Sequence, residues 1–352
     1  GLIPAVSDMT WYVATTGSDS NPGTIGSPFL TLQHAVAVVA GYDWKELYNP
    51  TVQVADGTYT TAGTACVIPI LTGMNLATNQ LSILGNTTTP ANVVLSMTGG
   101  GSSGFVQNDL NGNTFIDGFY IRCNGGSGIG LFVTGGTVIY GGLTFDLGTN
   151  GRPFVVQDAA VLDTPANGKT IEIIGTQILI FCVAGNGPNS QASFNGINII
   201  FPVALTVSLG FFALGGTILL SGNTFTNFSG VSGPRFVHPD AFCSLNTDNG
   251  LLTDVPGTTD TGVGNLTLVI NENMGSKAQG LVNVVGPPAD GTNISTDNWL
   301  VIKNTSTGEI ELWADKATTP TLLASTISTR AVKVDGTSIT GSSGVISVAA
   351  SL

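Results

Sequence analysis

Few side chains in this chain could carry acid–base chemistry. Asp117, Asp146 and Glu172 fall in its middle third with Arg122 and Arg152 interleaved, and His34 and His238 are its two histidines. Two carboxylates about 5–9.5 Å apart can hydrolyse a glycosidic bond, so a pair drawn from these acids is the first chemistry to test. His238, beside Arg235 and Asp240, is a better-placed imidazole than His34, which lies in an amphipathic run, although a structural turn is the first explanation for His238. Tyr120, Trp299 and Trp313 offer rings that could stack on a sugar, against the commoner use of strand aromatics in cores and interfaces.

A metal centre has little support. In GSDSNPGT, Asp19, Asn21 and Gly23 alternate as in a calcium loop. The twelfth position counted from Asp19 is Leu30, where such a loop needs a bidentate Glu, and Asx turns with a Pro-Gly reversal explain the same residues. Cys66, Cys123, Cys182 and Cys243 lie far apart with no paired spacing, which fits buried thiols. We expect no metal and no cofactor.

Composition narrows the classes further. Only 9% of the 352 residues are charged, against about 25% in an average soluble domain, so Gly, Thr, Asn and Ser fill the polar positions. The net charge of −12 with ten scattered basic residues argues against nucleic acid, which demands clustered Lys and Arg. No basic region followed by an apolar run marks the N-terminus as a signal peptide. INIIFPVALTVSLGFFALGG, residues 197–216, is apolar enough for a membrane span. It contains Pro202 and β-branched residues and lacks flanking cations and anchoring aromatics, so we read it as buried strands without membrane insertion.

The elements that would position these residues show as a ladder. SILGNTT, FIDGFYIRC, YGGLTFDL, EIIGTQILI, SFNGINIIF and LLSGNTFTN align on Gly85, Gly118, Gly142, Gly175, Gly196 and Gly222, at intervals of 21 to 33 residues. Ile121, Phe145, Ile178, Ile199 and Phe225 all lie three positions after a glycine. Alternation of period two inside an irregular long period describes stacked β-coils with glycine at the bends. In this register Tyr120 and Arg122, Thr144 and Asp146, Gln177 and Leu179, and Asn198 and Ile200 face outward. Arg122 and Asp146 then become rung neighbours, most simply a surface ion pair, while Asp117 precedes its bend and points elsewhere. Leu179, Ile200 and Phe201 mark a covered outer face, for which the natural cover is a homotrimer. Before the ladder, Ser27 and Pro28 read as cap and first turn of a helix whose buried face is Phe29, Leu32, Val36 and Val39.

Two stretches carry a family resemblance. WYVATTGSDSNPGTIGSPFLTLQHAVAVV with VQVADGTYT resembles the entry of right-handed parallel β-helix proteins of the pectate-lyase-like superfamily, as found in phage tailspikes and tail fibres. SGPRFVHPDAFCSLNTDNGLLTDVPG is similar to the segment by which such chains leave the helix. The resemblance implies an all-β fold: entry strand and capping helix in residues 1–50, a right-handed parallel β-helix in 51–230, an exit segment in 231–264, and a small β-rich C-terminal domain in 265–352 for trimerisation or receptor contact. There, NWLVIKNTSTGEIELWAD reads as a hairpin carrying Trp299 and Trp313. It further implies a virion protein, tail or surface fibre, assembled in the host cytoplasm, with other virion proteins and a host surface polysaccharide as partners. Of the residue patterns used by pectin-degrading relatives only Asn246-Thr247-Asp248 is present, without a Gly-His-Gly, so adhesion ranks ahead of depolymerisation by a lyase or hydrolase. A capsid-decorating fibre or a bacterial surface adhesin are further readings of the same fold.

Overall fold

The structure, a computed structural model, describes residues 1–237 except 76, 109–111, 165–167, 186–189 and 215, then 244–247, 255–258 and the strands between 269 and 340. Successive strands visit three parallel sheets in turn. The first, of ten strands, begins Met9–Val13, Pro50–Val54, Leu81–Leu84, Asn113–Asp117 and Thr137–Tyr140. The second, of seven, includes Val93–Met97, Phe119–Cys123, Leu143–Asp146, Thr170–Ile173 and Asn198–Ile200. The third, of eight, includes Ser103–Gln107, Ile129–Val133, Arg152–Gln157, Gln177–Gly185 and Leu205–Leu214. This is an all-β parallel β-helix with a single α-helix among the described residues. The apolar stretch 197–216 is divided between strands Asn198–Ile200 and Leu205–Leu214 of two sheets, and no described helix is long and apolar enough to cross a membrane.

Stacking in register turns identical positions of each coil into a continuous core. Trp11, Val52, Ile83, Ile116 and Tyr140 line up inside the first sheet, and Phe119, Leu143, Ile171, Ile199 and Phe225 inside the second. Phe105, Leu131, Phe154, Cys182 and Phe211 do so inside the third. Burial pushes the Cys66 and Cys182 thiols well up, so they stay protonated members of that core. Gly118 shows why glycine recurs at the bend between first and second sheets. Its φ is +84°, and a Cβ there would lie 2.6 Å from the Asn86 backbone of the coil below.

One rung departs from the ladder read in the sequence. The strand pairing with Leu143–Phe145 is Ile171–Ile173, before Gly175, and the strand after Gly175 belongs to the third sheet. The outward row that includes Tyr120 and Thr144 therefore continues through Glu172 and then Ile200. Leu179 lies on a different side of the prism from Ile200.

The helix spans Leu32–Val39 and is capped by Thr31, which accepts from His34 N, rather than by Ser27. The reason sits twelve residues earlier. Asp19 Oδ1 accepts from the amides of Leu30 (3.0 Å) and Thr31 (2.9 Å), and its Oδ2 accepts from Thr31 Oγ1 (2.8 Å). Phe29 is meanwhile held extended between Tyr12 O and Ala14 N. Leu32, Val36 and Val39 are buried against the end of the solenoid, with Phe29 beside them. Burial raises the Asp19 pKa, but the hydrogen bonds from Thr31 and Leu30 and the charge of His34 outweigh it and hold the carboxyl below its ordinary value. A depressed folded pKa stabilises fully above the unfolded value of about 4 and loses that contribution as pH falls through the folded value. Asp19→Asn is therefore expected to cost about 1 kcal/mol at pH 7. Thermal melts of the two proteins should converge as the pH is taken from 6 towards 3.

The first sheet extends to Ser244–Thr247 and Val269–Asn271, beyond the residue-230 limit expected for the coils. Strands between Leu281 and Thr340 form a separate six-stranded sheet in which Trp299–Asn304 and Ile310–Lys316 pair antiparallel, as the hairpin reading requires.

Candidate functional site

The second and third sheets present opposite chemistries to the outside. Outward positions of the third form an apolar row, Val67, Val106, Phe132, Val155, Val183 and Phe212, one per coil. Val155 and Val183 join Ile180 in a cluster separate from the core, against which Ile129, Phe132, Leu179 and Phe212 pack. The second sheet faces outward with Thr58, Thr60, Tyr120, Arg122, Thr144, Asp146, Glu172, Asn198 and Thr224.

Four of the residues singled out in the sequence, Tyr120, Arg122, Asp146 and Glu172, share that polar face. The Tyr120 hydroxyl donates to Asp146 Oδ2 at 3.2 Å. Burial, then the Asp146 charge, raises the Tyr120 pKa, so the phenol remains a donor at neutral pH. Arg122 is opposite Asp146 in the ladder, yet the expected ion pair is not formed: Arg122 Nη2 donates to Ser96 Oγ at 3.2 Å, and its Nε–H is buried without an acceptor. Asp146 and Glu172 stand on adjacent coils, two positions out of step. Strand spacing and rise put their Cα atoms about 8 Å apart.

The other candidates lie elsewhere. Asp117 is 2% exposed at the bend of the first sheet, accepting from Gly142 N at 2.6 Å and paired with Lys169 Nζ at 2.5 Å. It shares no face with Asp146. His34 packs edge-on against Phe29, with ring centroids 4.7 Å apart. Ile200 is half-buried on the polar face, whereas Phe201 is inside the core against Phe181 and Phe225 and is not free to line an interface. His238 lies outside the described residues. Trp299 is opposite Ala314 and Trp313 opposite Leu300, so the two tryptophans occupy positions of opposite parity in their hairpin. Among the described residues no group of three or more His, Cys, Asp or Glu is arranged to hold a metal ion.

Fold and site together define a parallel β-helix protein with one apolar and one hydroxyl-rich lateral face. No protein-family model, curated protein or solved structure matches the chain.

Proposed function

We propose that this is a bacteriophage tail-spike or tail-fibre protein that holds a host surface glycan against the outward face of its seven-stranded sheet. The supporting observation is the grouping of Tyr120, Arg122, Asp146 and Glu172 on two neighbouring outward rows of a sheet whose other outward positions are mostly Thr. The apolar row of the third sheet suits burial against identical copies in a homotrimer, whose other contacts would be virion proteins. A second reading, depolymerisation on the same face, draws on Asp146 and Glu172, two carboxylic residues on adjacent coils of that face, the residue types a glycosidase needs.

Retention of the protein on intact host cells tests the first reading. Tyr120→Ala should weaken retention at least tenfold while leaving thermal unfolding unchanged, and no new reducing ends should accumulate. Reducing ends that vanish in Glu172→Gln would instead establish the enzyme. A purely structural fibre would show neither retention nor turnover, and a monomeric mass by light scattering would overturn the trimer.

A further inference from the structure

A recess lies at the capped end of the solenoid. The first three strands of the ten-stranded sheet end at Val13, Val54 and Leu84, and the next residues are small: Ala14, Ala55 and Gly85. Gly85 admits no side chain, since a Cβ would stand 2.1 Å from Gly118 O. The hollow is walled on one side by Tyr12 and Gln53, neighbours in the outward row, and overhung on the other by Pro28 and by Ile25, which is 77% exposed. The resulting cleft has a volume of about 450 Å³, within the ~300–1,000 Å³ typical of small-molecule sites.

Its polar groups are held in place and are mainly acceptors. Asp56 Oδ1 accepts from Asn86 Nδ2 (2.9 Å) and Oδ2 from Asn92 Nδ2 (3.0 Å), which fixes the carboxylate and leaves each oxygen a further lone pair. Gln53 Nε2 is occupied by the carbonyls of Leu84 and Gly85, so its Oε1 is the end left to a ligand. Tyr59 braces the floor by donating to Ala55 O at 2.8 Å. Among the described residues no Lys, Arg or His lines the cleft, which disfavours a phosphate, sulfate or uronate.

The geometry points to a binding site for a neutral saccharide of two or three residues, its hydroxyls donating to Asp56 and Gln53 and a C–H face resting on Tyr12. This inference rests on the glycan-binding reading above but assigns it a separate site at the opposite end of the coils from the exit segment. Acceptors without cations select for hydroxyl donors, and a flat ring beside them selects for a pyranose face.

Saturation-transfer NMR and calorimetry with neutral trisaccharides (maltotriose, mannotriose, cellotriose) and with chitosan trimer as the cationic control test it. At least one neutral trisaccharide should bind, with affinity unchanged between 0.05 and 0.5 M salt. Tyr12→Ala should weaken it at least tenfold and Tyr12→Phe by less than threefold. Thr87→Trp, at an exposed rim position, should block the cleft without disturbing the core, and covers the case in which Tyr12→Ala unfolds the cap. Salt-sensitive binding of the chitosan trimer alone, or binding of neutral sugars indifferent to Thr87→Trp, would overturn the inference. Cell retention abolished by Tyr120→Ala but untouched by Thr87→Trp, with no trisaccharide bound, would overturn the cleft and leave the polar-face reading standing. Absence of both cell retention and saccharide binding would overturn both.

Discussion

Replacing Phe154 by alanine is expected to lower the unfolding free energy by about 4 kcal/mol. The ring is fully buried in the third sheet and reaches both others, with centroids 5.1 Å from Tyr140 and from Phe145, 5.7 Å from Phe181 and 5.2 Å from Phe194. The transfer term for a phenyl group accounts for about half of the loss. The rest is the void, because the neighbours cannot relax into it. Tyr140 is pinned by its hydroxyl to Ser193 O at 2.8 Å, and the strands on either side are locked in parallel ladders. Phe154→Leu keeps most of the volume and should cost about 1–1.5 kcal/mol. In a solenoid the defect acts mainly on adjoining coils, so urea midpoint and unfolding rate should both be measured. A loss below 1 kcal/mol for the alanine variant would mean that the coils close around the gap and that the aromatic stack is not what fixes their spacing.

The aromatic rungs were legible because alternation and glycine bends are local signals. Phe119 over Leu143, Ile121 over Phe145 and Arg122 over Asp146 follow from the alignment on Gly118 and Gly142 alone. The next coil misled because it has two glycines in the left-handed region, Gly168 and Gly175, at φ +102° and +104°. Only the first bends the chain into the second sheet, and no local feature of TIEI against TQILI marks which strand stacks on LTF. That ambiguity between two strands hid the grouping of Glu172 with Tyr120 and Asp146, although each was singled out on its own. The cap failed for a different reason: Ser27-Pro28 is a sound local helix start, but the amides that would extend it are taken by Asp19, a contact across the turn. Faces, too, depend on coils meeting. The apolar outer row is spread over six strands with one residue in each, so no window of sequence shows it.

Asp117 supplies the other large effect, and it separates a structural carboxylate from a catalytic one. Its two oxygens tie three successive coils: its own, that of Gly142, whose amide it accepts, and that of Lys169, whose ammonium it pairs. Alanine would leave the Gly142 N–H buried without an acceptor, about 1–3 kcal/mol by itself, and would strip Lys169 of its counter-charge. A wholly buried pair broken in this way costs about 3–5 kcal/mol. Lys169 is one-third exposed and can turn to water, so the expected total for Asp117→Ala is nearer 3 kcal/mol. Asp117→Asn preserves the acceptor for Gly142 and should lose only about 1–2 kcal/mol. Lys169→Met should be the more damaging single change, since it leaves the carboxylate with one amide and no cation in a site 2% exposed. If the two residues act as one tie, the double variant Asp117→Asn with Lys169→Met will be less destabilised than the sum of the singles by at least 1 kcal/mol in denaturant unfolding. Glycan binding by the folded variants should match wild type, because Asp117 is buried at the end of a first-sheet strand and is not among the outward residues of the second sheet. Additive single effects, or a binding loss in Asp117→Asn without loss of stability, would return Asp117 to the list of residues that touch the ligand.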